Sequence, residues 1–245
     1  MLNFSKLQHK KLWILLPTFL VAELCLWFVI LFWPNTALEL AVSCFSAVAL
    51  AFLFAFCFIK KDIGVLLLIS GLLCTVGADT FLVLTQNLTY ARQVAGMAFF
   101  SVTQLAYFAY LLWKTESKKM RITHSIVRLS CVILAEIIML IVLKKDTDAL
   151  SVLSLFYIAN LAVSVVFAYM QGKKGVLFAI GLTLFLCCDL FVGLSVALGT
   201  YIPIAKTSLL YKIVHSNFNF VWFFYLPSQA CIASYTAWQS EKSRA

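Results

Sequence analysis

The sequence predicts an all-α fold, a polytopic membrane helix bundle of about eight transmembrane helices that forms one integral membrane domain over 1–245. Three observations carry this. Hydrophobic residues fill 63% of the 245 positions and charged residues only 12%, whereas a soluble domain keeps about a quarter of its residues charged. The apolar residues fall in eight runs of about 18 to 25, each long enough for a helix to cross roughly 30 Å of hydrocarbon with its backbone bonded internally. The basic residues cluster between the runs.

The elements follow in order. The run 12–33 comes after Lys6, Lys10 and Lys11 and so looks like a signal sequence. It is too long for a signal's apolar segment and lacks a clear small-x-small cleavage site, so it reads as a retained first span. Lys60 and Lys61 divide the run 38–59 from the run 63–85. The fourth run, 94–113, ends at a basic cluster that opens on Lys114 and leads to the fifth, 126–143. Asp146 and Asp148 offset Lys144 and Lys145 before the sixth, 149–170, and Lys173 and Lys174 precede the seventh, 175–199. The connection 201–217 holds Pro203, His215 and the apolar Leu209, Leu210 and Ile213, which fits a short interfacial segment on the mouth of the bundle or a plain loop. The run 218–238 closes the series.

If the N-terminus is inside, fourteen of the 19 basic residues, Arg128 among them, fall on the inner side. The positive-inside bias then predicts an even number of spans with both termini cytoplasmic, in the cell (plasma) membrane. The net charge of +9 is spent on topology. It gathers on no single face or tail, so nucleic acid is not an expected partner. The eight cysteines all fall inside apolar runs with no C-x-x-C spacing. They read as small hydrophobes, although the vicinal Cys187 and Cys188 would also suit a redox pair or a soft metal.

An ionisable residue inside a span is unfavourable enough to imply a function. The candidates are Glu23, Asp79, Glu136 and Asp189, with Glu39 near an outer end where water reaches it. Asp79 and Asp189 lie about 16 and 14 residues into parallel runs, which at 1.5 Å per residue puts them at one depth near the midplane. Gln104 and Gln229, about 10 residues into runs of opposite sense, join the same layer. Thr75, Asp79 and Gln86 share a helical stripe, as do Tyr157, Asn160 and Ser164, and Tyr225, Ser228 and Gln229. Such groups can be mere interhelical bridges, the natural reading for Asn160, Ser164 and Ser228. It suits the aspartates less, because an amide bridges helices without a charge. Pro227 cannot donate to the carbonyl of Phe223, so the last helix should bend there, either to shape the site or as a packing kink.

The chain also repeats itself. Residues 71–84 read GLLCTVGADTFLVL and 181–194 read GLTLFLCCDLFVGL, sharing G-L-x6-D-x-F-x2-L at an offset of 110. Each is followed by Q-x5-Y-x2-W, from Gln104 and from Gln229. This suggests parallel four-span halves, 1–113 and 114–245, each giving one aspartate and one glutamine to a shared site.

The sequence G-A-D-T-F-L-V-L, the later C-D-L-F-V-G-L and F-F-Y-L-P-S-Q at 223–229 resemble the YhhN-type lysoplasmalogenase family of eight-span membrane proteins, over about 64–238. The resemblance implies hydrolysis of the sn-1 vinyl ether of a lysoplasmalogen to a fatty aldehyde and a glycerophospho-headgroup, with Asp79 and Asp189 as the catalytic pair. The chain departs from the family pattern at Gln104, where a histidine is expected, and at Cys188, where a serine is. The implied partners are a lysophospholipid substrate and the bilayer itself. Gln104, Gln229, Tyr225, Ser228, Asn160, Tyr107 and Glu23 are the candidate substrate-binding residues.

The chemistry is reasonable on its own terms. Cleaving a vinyl ether needs a proton on the β-carbon and water on the resulting oxocarbenium ion. One carboxyl that holds its proton beside one that does not supplies both. No cofactor or metal is expected: His9, His124 and His215 all fall outside the runs, and there is no nucleophile elbow, P-loop or dinucleotide fingerprint. Two other readings share the same carboxylates, a proton-coupled transporter and a lipid-binding membrane protein without turnover. A path open in turn to both faces would mark the first, and a closed lipid-sized cavity the hydrolase or the binder.

Overall fold

The structure is a computed structural model that describes residues 4–33, 36–85, 89–144, 147–198, 205, 207–216 and 218–242. Gln86, Lys145, Asp146 and Pro203 lie outside these. The described residues form nine α-helices: α1 (Phe4–Phe32), α2 (Ala37–Phe56), α3 (Ile63–Leu82), α4 (Tyr90–Lys114), α5 (Lys118–Leu143), α6 (Ala149–Met170), α7 (Val176–Ala197), α8 (Leu209–Val214) and α9 (Phe220–Lys242). Eight are long and match the eight apolar runs. The short α8 falls in the connection before the last apolar run, and its Val214 lines one cavity with Phe191 of α7 and Phe220 of α9.

Helix starts are set by polar caps. Thr36 and Glu39 form a reciprocal capping box at α2, and Asp148 and Ser151 form another at α6. Asp62 accepts from the Val65 N–H at α3. Each cap satisfies amides that the first helical turn leaves free. Glu39 is exposed, as its position near a span's end suggested.

Helices α1 to α7 are long and apolar enough to cross a membrane. Helix α9 has the length, 23 residues or about 34 Å, but carries Ser228, Gln229, Thr236, Gln239 and Ser240, all buried. It packs most closely on α7 and also touches α1, α2 and α3, so protein rather than lipid surrounds its polar groups. Its C-terminal part is tied to its neighbours by polar contacts. Ser240 Oγ donates to the Phe58 carbonyl at 2.5 Å, Lys114 Nζ donates to Gln239 Oε1 at 3.0 Å, and the Tyr110 and Tyr235 hydroxyls bond at 2.5 Å. Lys11 Nζ, near the start of α1, donates to the carbonyl of Cys57 at 2.9 Å. The start of α1 and the ends of α2, α4 and α9 therefore meet at one end of the bundle.

One expectation is corrected. Helix α5 begins at Lys118, two turns before the apolar run, and belongs to a candidate span from that residue on. His124 is therefore not outside the spans and Arg128 is not a loop cation: they are 1% and 4% exposed. Hydropathy averaged along the chain hides this, because their polar atoms turn toward α6 while Ile122, Ile126 and Leu129 face outward, each more than half exposed.

Candidate active site

Asp79 projects from α3 into the bundle and is 2% exposed. Its Oδ2 accepts the hydroxyl proton of Tyr225 on α9 at 2.7 Å. Asp189 on α7 is partly buried, and its Oδ2 accepts from Tyr157 on α6 at 2.5 Å. The two pairs are joined through rings. Phe100 of α4 lies 5.5 Å from Tyr157 and 6.5 Å from Tyr225, centroid to centroid. Phe185 of α7 lies 6.2 Å and 5.3 Å from the same two tyrosines. Two carboxyls from α3 and α7 thus flank one aromatic cage. Charges interact far more strongly in a low-dielectric interior than in solution.

A second polar layer sits one helical turn away on α3, α4 and α9, toward the end of the bundle where α1 starts. Thr75 lies a turn from Asp79, Gln104 a turn from Phe100, and Ser228 and Gln229 a turn from Tyr225. All four, with Tyr107, are fully buried. Gln229 Nε2 donates to Ser228 Oγ at 3.2 Å. Both amide atoms of Gln104, the Gln229 Oε1 and the Tyr107 hydroxyl have no hydrogen-bond partner among the described residues. Thr75 and Thr103 bond the carbonyl of Gly71, at 3.0 and 3.2 Å. Gly71 has no side chain because the Tyr107 ring occupies the space a Cβ would need. Buried amides without partners are rare in proteins. Here they lie within a turn of the residues that form the cage.

A family model described as the YhhN family matches residues 38–236, a stretch that contains both aspartates and both tyrosines. The chain belongs to the YhhN family. No curated protein and no solved structure matches it.

Two of the candidate residues of this YhhN chain stand away from the cage. Asn160 shares α6 with Tyr157 but turns to α5, where its Oδ1 accepts from Arg128 Nη1 at 2.8 Å. Glu23 of α1 is 5% exposed, and neither of its oxygens has a partner among the described residues. It lines a groove of about 220 Å³ between α1 and α9 with Leu20, Leu24, Trp27, Pro227 and Ala230. Glu136 is half-buried on α5. The sequence also understated three groups. Tyr157 was legible only as one member of a polar stripe, yet it holds Asp189. His124 was read as lying outside the spans and Arg128 as one of the inner-side cations. Their four-residue separation, one turn on a single helix face, was the signal that could have found them.

Proposed function

We propose that this YhhN protein is an intramembrane hydrolase that cleaves the vinyl ether bond of a lysoplasmalogen, or of a related ether lysolipid. The observation that carries the reading is the pair of carboxyls, each held through Oδ2 by a tyrosine on either side of one buried cage. With Oδ2 engaged, Oδ1 is the atom left to exchange a proton. One aspartate, as the acid, gives its proton to the β-carbon of the vinyl ether, leaving an oxocarbenium ion at the α-carbon. The other, as the base, takes a proton from water as the water oxygen bonds to that carbon. The resulting hemiacetal collapses to the fatty aldehyde and the free sn-1 hydroxyl of the glycerophospho-headgroup, so one water is consumed and no redox change occurs. The unpartnered atoms of Gln104, Gln229 and Tyr107 hold the water and a glycerol hydroxyl of the substrate one turn from the carboxyls. The partition of roles resembles that of glycosidases, which also pass through an oxocarbenium-like state between two carboxyls.

We place both termini on the cytoplasmic side of the cell membrane, from the basic bias of the inner segments, and read the chain as a duplicated four-span unit. The test is incubation of the purified full chain with a lysoplasmalogen, reading aldehyde release. Release that depends on the protein supports the hydrolase. No aldehyde across ethanolamine and choline headgroups overturns it, and a pH-driven flux across vesicles would point to a carrier instead.

A further inference from the structure

The most unusual charge in the bundle is not an aspartate. Arg128 is 4% exposed on the α6 side of α5, and among the described residues no carboxylate pairs with it. Its neighbours are neutral. Nη1 donates to the carbonyl of Asn160 at 3.0 Å and to its Oδ1 at 2.8 Å. Nη2 donates to Ser164 Oγ at 2.8 Å and meets His124 Nε2 at 3.1 Å. The Phe108 ring of α4 covers the guanidinium at 4.2 Å. Hydrogen bonds to neutral acceptors satisfy the geometry of a guanidinium but leave its charge uncompensated, which is strongly unfavourable inside a membrane bundle.

The cluster also lacks acceptors. A guanidinium can only donate, so His124 Nε2 accepts and the imidazole proton lies on Nδ1. Stacking on Phe167, with centroids 3.6 Å apart, holds the ring in place. Two buried donors then remain without a partner, Arg128 Nε–H and His124 Nδ1–H. One positive charge with two spare donors is a site for an anion.

Its position indicates which anion. Asn160, which Arg128 grips, lies three residues from Tyr157, which grips Asp189. That separation is about 4.5 Å along α6. In a glycerolysolipid the phosphate and the sn-1 ether oxygen are joined through the three glycerol carbons. Helix α5 packs on α6 with its other face apolar and exposed, and Phe108 of α4 covers Arg128. We propose that Arg128 and His124 bind the phosphate of the lysolipid, with the ether bond set at the level of Asp189. The ligand's identity rests on the hydrolase reading above; the anion site rests on the cluster itself.

The test uses the purified full chain in nanodiscs and a ligand that cannot be cleaved. Binding of a 1-alkyl lysophosphatidylethanolamine is compared with binding of the 1-alkylglycerol of equal chain length, of glycerophosphoethanolamine and of inorganic phosphate. The phosphate-bearing lysolipid should bind at least tenfold more tightly than the alkylglycerol. Arg128→Gln should erase that preference, and Arg128→Lys should keep part of it. If Arg128→Gln does not fold, His124→Phe keeps the stacked ring, removes the spare donor and should cut the preference at least threefold. Equal binding of both lipids by the wild type overturns the proposal. So does an unchanged preference in a folded Arg128→Gln protein, which would make the arginine a clamp between α5 and α6. Tighter binding of inorganic phosphate than of the lysolipid also overturns it, in favour of a free-anion site. Because the alkyl ether is not a substrate, a protein with this preference but no aldehyde release from lysoplasmalogen would defeat the hydrolase reading and leave the anion site standing.

Discussion

Trp27 of α1 donates its indole N–H to the carbonyl of Phe223 on α9 at 3.2 Å. That carbonyl lies four residues before Pro227, whose nitrogen has no hydrogen to give it. The bond that the helix cannot make for itself is supplied from another helix, and the rings of Trp27 and Phe223 pack at 5.4 Å beside it. The sequence pointed to a freed carbonyl but could not say what would take it.

This pairing predicts a coupled effect. Trp27→Phe keeps a ring and removes the donor, which leaves a carbonyl unpaired and should destabilise the protein by about 1 to 3 kcal/mol. Pro227→Ala gives the helix its own donor back. In that background the same tryptophan change should cost much less. Unfolding midpoints of the two single variants and the double variant measure the coupling, and strict additivity would show that the indole is not serving that carbonyl.

Asp79→Asn and Asp189→Asn should each reduce aldehyde release by at least about 100-fold, the lower range for loss of a positioned acid or base. Asparagine fits the same space and can still accept from Tyr225 or Tyr157, so folding and lipid binding should survive. The two losses should not add, because the carboxyls act as a unit. Near-full turnover in both variants would reduce the aspartates to bridges between helices.

Two glycines separate packing from propensity. A methyl at Gly71 would strike the Tyr107 ring, whereas nothing lies within 4 Å of the corresponding position at Gly193 on α7. Gly193→Ala should be neutral or stabilise by up to about 1 kcal/mol. Gly71→Ala should destabilise by about 1 to 3 kcal/mol, the range for overpacking, and should also lower turnover by displacing Tyr107. Melting of the two variants in one detergent gives the comparison directly.

The orientation is open to a reporter. A fusion after Ala245 that is active only in the cytoplasm should give signal. A stable but silent fusion would invert the bundle and move the second polar layer to the opposite leaflet.

The parts of this structure that were legible in the sequence depend on position within the bundle. Helices α1 to α7 announce themselves through length and apolarity, and Asp79 and Asp189 stand out because a charge in such a run is rare. Their shared depth follows from counting residues. The partners of those carboxyls do not follow, because Tyr225 and Tyr157 reach across from other helices, and helix rotation is set by packing. Arg128 and His124 were misplaced for the opposite reason. They sit near a basic cluster, where a cation looks like an anchor in water, and only the facing Asn160 and Ser164 show that they turn inward.

The polarity of α9 bears on how the protein is made. A segment with that many hydroxyls and amides partitions poorly into lipid by itself, so its insertion must draw on contacts with α7, α1, α2 and α3 that are already in the bilayer. It also follows α1 to α8 along the chain and so leaves the ribosome after them. Until it docks, Asp79 lacks Tyr225 and Lys114 lacks Gln239, and the nascent bundle has an open polar seam. Biogenesis and site assembly are then one event, and a chain stalled before α9 should be seen by membrane quality control as an unfinished protein.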